Sequence, residues 1–197
     1  MTQKPPGVAR TRSGPATRAR ILQAASEQFY ADGIRATSAD RIIAEAGITK
    51  VTFYRHFPTK SDLVVAYLEQ QAEAERSWFS SARREGDAMG SLLGLAEGIG
   101  AASCSPGFRG CAFINAAAEF SDPHDPVRAL VTRHRQWMLD EFADIAQEAG
   151  MPDPAATARQ LMMLRDGAMV NGYLGEAASV ADSLAASFRS AILSPEE

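Results

Sequence analysis

Little in this sequence favours a secreted or membrane-bound protein. Two cysteines among 197 residues cannot staple a small extracellular fold, so a reducing cytoplasm is the expected compartment. Apolar runs are short. Leu63-Val64-Val65-Ala66-Tyr67-Leu68 is typical of the longest, whereas a membrane-spanning helix needs about 20 such residues. Runs of β-branched residues are missing and alanine is abundant, which points to helices rather than strands. Three scattered histidines and two cysteines do not make a zinc site. Gly-x-Ser-x-Gly, the P-loop, the Rossmann glycines and His-Glu-x-x-His are all missing. No catalytic residue, metal or cofactor is therefore assigned.

Acidic residues are also missing from the start of the chain, where Lys4, Arg10, Arg12, Arg18 and Arg20 precede the first acid, Glu27. Pro5, Pro6, Gly7, Gly14 and Pro15 make residues 1–15 read as a flexible basic tail. No apolar segment of a secretory signal follows these charges. An organellar transit peptide would share the composition, but here the basic run leads directly into a periodic helix. The net charge of −4 conceals a polarity. Residues 1–62 hold ten basic and five acidic residues, and residues 63–197 hold ten and nineteen, giving +5 and −9. A basic first third on an acidic body suits a nucleic-acid reader joined to another unit.

The helical reading can be followed along the chain. Ile21, Leu22, Ala25 and Phe29 share one face of a helix over Thr17–Ala31, closed by Asp32-Gly33. Thr37-Ser38-Ala39-Asp40 has the pattern of a capping box and opens a short second helix carrying Ile42, Ile43 and Ala46, which stops at Gly47. Thr49 is the candidate N-cap of a third helix that ends before Pro58. Thr59-Lys60-Ser61-Asp62 is another capping box, opening a long helix to Arg84. Further helices are expected over Asp87–Ala102, Gly110–Phe120, Pro126–Ala149, Pro154–Glu176 and Val180–Leu193, so the chain is all-α with about nine helices. The divisions are a tail at 1–15, a helix-turn-helix domain at 16–62 and a helical body at 63–197.

The second and third helices form a helix-turn-helix pattern. Gly47 permits the reversal, while Ile42, Ala46, Ile48 and Phe53 face one another across it. Thr49, Lys50, Thr52, Tyr54, Arg55 and His56 are left outside, offering donors, acceptors and charge to a DNA groove. A glycine-turn helix pair alone is common, but the particular residues are more specific. The run Ala46-Gly47-Ile48-Thr49-Lys50-Val51-Thr52-Phe53-Tyr54-Arg55-His56-Phe57-Pro58-Thr59-Lys60-Ser61-Asp62-Leu63 resembles the DNA-binding domain of the TetR family of bacterial transcriptional regulators. Tyr54, His56, Phe57 and Lys60 carry its Tyr-x-His-Phe-x-x-Lys signature. Ile43 stands where that family usually has alanine, and Val51 where glycine is frequent.

The resemblance implies roles for individual residues. Thr37 and Ser38 would cap the second helix and offer a hydroxyl to a phosphate. Thr49, Lys50, Val51, Thr52 and Arg55 would face the major groove, Val51 against a thymine methyl and Arg55 or Lys50 against a guanine edge or a phosphate. Tyr54, His56 and Lys60 would grip the backbone and set register, with packing inside the three-helix unit the alternative for Tyr54 and His56. Phe53 and Phe57 read as core. Arg10, Arg12, Arg18 and Arg20 are either phosphate contacts or solvated charges.

The resemblance also implies a ligand pocket among the middle helices and a dimer interface on the last two. Phe113, Phe120, Trp137, Met138, Phe142, Met162, Met169 and Tyr173 are candidate apolar lining, each with core packing as its alternative. Asn115, Glu119, Arg165 and Asn171 are candidate orienting groups. Arg165-Asp166, within an otherwise apolar helix, reads as a buried pair, a dimer contact or a ligand anchor. His134 reads as a core histidine, and Cys104 and Cys111 as a packed or idle thiol pair rather than a redox switch. The expected function is a homodimeric, ligand-responsive repressor on a near-palindromic operator, without membrane association. Rivals are an activator or non-inducible DNA binder with the same reading head, a small-molecule enzyme on a helical body, and an adaptor that has lost DNA binding.

Overall fold

A computed structural model of the chain describes residues 14–175 and 177–193. Among these residues the structure is all-helical: α1 (Gly14–Asp32), α2 (Ala39–Glu45), α3 (Lys50–His56), α4 (Lys60–Ala82), α5 (Ala88–Ser103), α6 (Ala112–Glu119), α7 (Pro126–Glu148), α8 (Pro154–Leu174) and α9 (Ala177–Leu193). Gly14 and Pro15, assigned to the tail from sequence, form the first turn of α1; Arg10 and Arg12 lie outside the described residues. Arg18 belongs to α1, and its guanidinium lies 4.9 Å from the centre of the Phe57 ring.

The helix starts are fixed by side-chain caps that take up otherwise orphaned N–H groups. Thr59 and Asp62 close the expected capping box at α4. Asp125 and Asp153 cap α7 and α8, each followed by a proline in the first turn, where a missing N–H costs nothing. The box expected at α2 does not form. Ser38 alone caps that helix, accepting from the Arg41 N–H, while Asp40 turns toward Lys50. Thr37 is fully buried and donates to the carbonyls of Gly33 (2.9 Å) and Gln28 (3.2 Å). This corrects Thr37 as a cap and as a phosphate ligand: its hydroxyl is spent in fixing the α1–α2 turn.

Helices α1 to α3 surround Ile21, Phe29, Ile42, Phe53 and Phe57, all buried, and the first turns of α4 seal them with Leu63 and Tyr67. The Tyr67 ring meets Phe29 edge-on at 5.6 Å. The turn between α2 and α3 passes through Gly47 at φ +58°, as the helix-turn-helix reading requires. The body packs α5 on α9, α7 on α8 and α4 on α7. Phe142 is fully buried, flanked by Phe79 at 5.5 Å and Phe188 at 6.1 Å. Helices α5 and α9 approach closely because Gly100 has no side chain; a Cβ there would stand 2.9 Å from the Ala181 Cα. No described helix is long and apolar enough to cross a membrane.

Candidate nucleic-acid interface and effector cavity

Helix α3 stands on the outside of the first unit. Thr49 caps it, accepting from the Thr52 N–H, and the two hydroxyls lie 2.9 Å apart. Phe53 anchors the helix from its buried side. Opposite, Val51 is 79% exposed, an unusual position for a branched apolar side chain. Arg55 is exposed and has no hydrogen-bond or ion-pair partner among the described residues. Lys50 lies 3.5 Å from Asp40, with both side chains largely in solvent. Thr49, Lys50, Val51 and Arg55 thus share one solvent-facing surface, Thr52 is half-buried at its edge, and exposed Ser38 caps the neighbouring helix.

The expected backbone-gripping residues divide. Tyr54 is 41% exposed, with its ring edge-on to Phe53. The His56 Nε2 is buried without a hydrogen-bond partner among the described residues, and the half-buried ring borders Gly14. Lys60 is half-buried at the start of α4, with Nζ 6.0 Å from the centre of the Phe29 ring. Burial pushes its ammonium pKa below the usual value, while nearby Glu119 opposes that shift.

A cavity of about 610 Å³ opens between the first unit and the body. Its walls include Tyr30 and Ser26 from α1, Gln71, Glu75, Trp78 and Phe79 from α4, Gly98 and Ile99 from α5, Phe108 and Cys111 around the loop into α6, and Met138, Arg165 and Met169. The Trp78 indole lies directly over Gly98, where any Cβ would collide with it. Glu75 accepts a hydrogen bond from His134 Nε2 at 2.9 Å on the assignment that places the ring proton there. It also lies 3.7 Å from an Arg165 nitrogen. Arg165 is 5% exposed and also pairs with Asp166 at 3.1 Å, while Asp166 accepts from Arg135. Burial works against the guanidinium charge, but Cys111, Glu75 and Asp166 outweigh it, and the pKa is raised. A buried charge so compensated is the arrangement a stable interior demands.

Of the twelve candidate ligand residues, the structure brings Met138, Arg165 and Met169 together at this cavity. The others stand elsewhere. Phe113 is buried, stacked on His134 at 3.7 Å. Phe142 and Met162 are buried core, and Phe120 is half-buried at the end of α6. The Trp137 ring packs 5.3 Å from Phe79, and its N–H donates to Glu141. Asn115, Glu119 and Tyr173 line a separate, smaller cavity of about 200 Å³ beside α1. Glu119 accepts from the backbone N–H groups of Ile34 and Arg35, and Asn115 donates to the Arg109 carbonyl. Asn171 donates to the Gly167 carbonyl within α8. His134 is buried as expected, with Nε2 on Glu75 but Nδ1 without a partner among the described residues. Sequence reasoning missed Tyr30, Glu75 and Trp78. Tyr30 lies on a helix assigned wholly to DNA reading, and a tertiary contact leaves no periodic trace in sequence.

A small helix-turn-helix unit on a larger helical body with an internal cavity is the architecture of a one-component regulator. Residues 21–67 match the family described as bacterial regulatory proteins, tetR family. The structure superposes on that of SCO4454, a TetR-family transcriptional regulator from Streptomyces coelicolor. The TM-score is 0.87 with 42% identity, over 90% of this chain and 95% of that one. This chain belongs to the TetR family of transcriptional regulators. Reduced NemR of E. coli shares the fold at TM-score 0.81 and 18% identity, over 91% of this chain and all (100%) of that one. Two curated relatives match over a shorter stretch. The HTH-type transcriptional regulator TtgR of Pseudomonas putida is 40% identical over 57 residues, 29% of this chain and 27% of TtgR. The HTH-type transcriptional activator FasR of Mycolicibacterium smegmatis is 38% identical over 56 residues, 28% of this chain and 26% of FasR. The chain matches about a quarter of the length of these curated relatives.

Proposed function

We propose that the protein is a cytoplasmic, ligand-responsive repressor that binds a near-palindromic DNA operator as a homodimer and releases it when a small molecule enters the large cavity. The reading domain is residues 16–62, and residues 63–197 form the ligand-binding and dimerisation domain. The observation that carries this reading is the solvent-facing surface of Thr49, Lys50, Val51 and Arg55 on a helix held from behind by Phe53. Such a face offers a methyl-reading group beside hydrogen-bond donors and cations, which is what a major groove distinguishes. Lys60 and Tyr54 supply backbone contacts that fix register.

Dimerisation draws support from α8 and α9, which expose Met163 (68%), Val170 (46%), Leu174 (74%) and Leu193 (56%). Two such helices from each subunit make a four-helix interface. The twin reading helices then enter successive major grooves about 34–36 Å apart. The effector is small and mainly apolar, since Trp78, Phe79, Ile99, Met138 and Met169 dominate the walls and the buried Arg165 is already paired with Glu75 and Asp166. It acts only through unequal affinity for the bound and released conformations. A hundredfold change in operator affinity corresponds to a coupling of about 2.7 kcal/mol.

Selection of bound fragments from genomic or random DNA, with and without a metabolite panel, tests the reading. A recovered inverted repeat that is lost with one metabolite supports it. No preference for any duplex at low ionic strength, or a monomer at every concentration, refutes it. An activator with the same head is the second reading, favoured by the description of FasR as an activator. Promoter output in a deletion strain separates the two.

A further inference from the structure

Helix α6 touches the reading head at both ends. Before α6, the Tyr30 hydroxyl donates to the Gly110 carbonyl at 3.0 Å and accepts from the Arg109 N–H at 2.9 Å. At its last residue, the Glu119 carboxylate accepts from the Ile34 N–H at 2.9 Å and the Arg35 N–H at 2.6 Å, one oxygen to each. The two clamps are separated by the eight residues of α6, about 12 Å of helix. Along the reading head they span the end of α1 and the turn that follows it.

We propose that Tyr30 and Glu119 are positioning residues that splint α6 across the end of α1 and so set the direction in which the helix-turn-helix faces. This rests on the reading of α1 to α3 as the DNA-reading unit. Four features give the splint its leverage. Gly33, at φ +98°, lets the chain leave α1 toward Glu119; a Cβ there would stand 3.4 Å from its oxygen. Thr37 bonds back to the carbonyls of Gly33 and Gln28, so the gripped turn is stiff and passes its orientation to α2 at the next residue, Ser38. The first clamp is also part of the large cavity's wall, since Tyr30 and Gly110 both line it. The smaller cavity beside the second clamp gives α6 space to shift. An occupant of the large cavity therefore touches the tyrosine clamp directly, and displacement of α6 carries Glu119 and the turn with it.

The test uses the full chain with Tyr30→Phe and Glu119→Ala, followed by amide hydrogen exchange and operator binding. Glu119→Ala removes the acceptor for Ile34 and Arg35, so those amides exchange at least about tenfold faster. The informative variant is Tyr30→Phe, which touches neither amide. A splint released at one end loosens at the other, so Ile34 and Arg35 exchange faster there too. Tyr30→Phe weakens operator affinity by about tenfold while the dimer stays intact, and Glu119→Ala also lowers the thermal midpoint because two N–H groups lose their charged acceptor. Glu119→Gln, with one acceptor oxygen, falls between wild type and alanine. Wild-type protection of Ile34 and Arg35 in Tyr30→Phe overturns the proposal, and so does unchanged operator affinity in Tyr30→Phe, which leaves the charge of Glu119 beside Lys60 in place. If the wild type selects no duplex, the reading of the head fails, while the exchange arm still decides whether the clamps are coupled.

Discussion

Asp40 stands 3.5 Å from Lys50, so the first residue of the reading helix is met by a carboxylate from the helix before it. Both groups are largely exposed, and the pair adds little to stability. Its consequence lies in binding, because the acid sits beside a surface proposed to face phosphates. Asp40→Asn removes one negative charge and frees Lys50. Operator affinity rises by about three- to tenfold at low ionic strength, and the gain shrinks as salt is added. Affinity measured across a salt series checks both statements. A loss of affinity would show that Asp40 orients Lys50 productively.

Val51, Arg55 and Lys60 separate base reading from backbone grip. Arg55→Ala relaxes preference at one or two base positions by about 1–3 kcal/mol, and Val51→Ala weakens a preference for thymine by up to about 1 kcal/mol. Lys60→Ala weakens binding to all sequences alike and flattens the salt slope by about one unit. Its half-buried ammonium beside Glu119 makes the loss modest. Binding to a library of single-base operator variants sorts the three, and a uniform loss for Arg55→Ala moves that residue to the backbone group.

Tyr67 predicts the alkaline limit of stability. Its phenol is 2% exposed, and burial, helped by neighbouring Tyr30 and Cys111, pushes its pKa well above the ordinary value. The unfolded chain loses that proton at about pH 10 while the folded chain retains it. The tyrosine's contribution is therefore complete below about pH 10 and declines as pH rises toward the folded-state pKa. Urea unfolding at a series of alkaline pH values should show this decline, and Tyr67→Phe should reduce its slope.

Gly98 shapes the large cavity. In Gly98→Ala the new methyl collides with the half-buried Trp78 indole, which is part of the cavity wall. The ring swings into the cavity, so the variant folds but holds less ligand. Tryptophan emission shifts, with Trp137 as an internal constant, and the effector affinity found for the wild type drops at least tenfold (about 1.4 kcal/mol). An unaltered spectrum with normal effector response would place the ligand elsewhere.

The amino-acid sequence determined the helices, and it did so through local chemistry. Thr59 with Asp62, Asp87, Asp125 before Pro126, and Asp153 before Pro154 act on N–H groups within three residues of themselves, so their effect is legible without a fold. The buried face of the reading unit was legible too, because Ile21, Ala25 and Phe29 repeat at helical spacing and Ile42 and Phe53 flank the glycine turn. The resemblance of residues 46–63 then pointed to the family.

Tertiary structure alone decided what faces the cavity. Phe113, Phe142 and Met162 have the same composition and periodicity as Met138 and Met169, yet the first three are spent in core packing while the latter two line the open space. Whether a side chain meets a partner or a void depends on helices far away in sequence, and hydrophobic periodicity records only that the side chain is turned inward. Glu119 shows the same limit. Its carboxylate grips two N–H groups about 85 residues earlier in the chain, a bond that exists only because α6 lies across the end of α1.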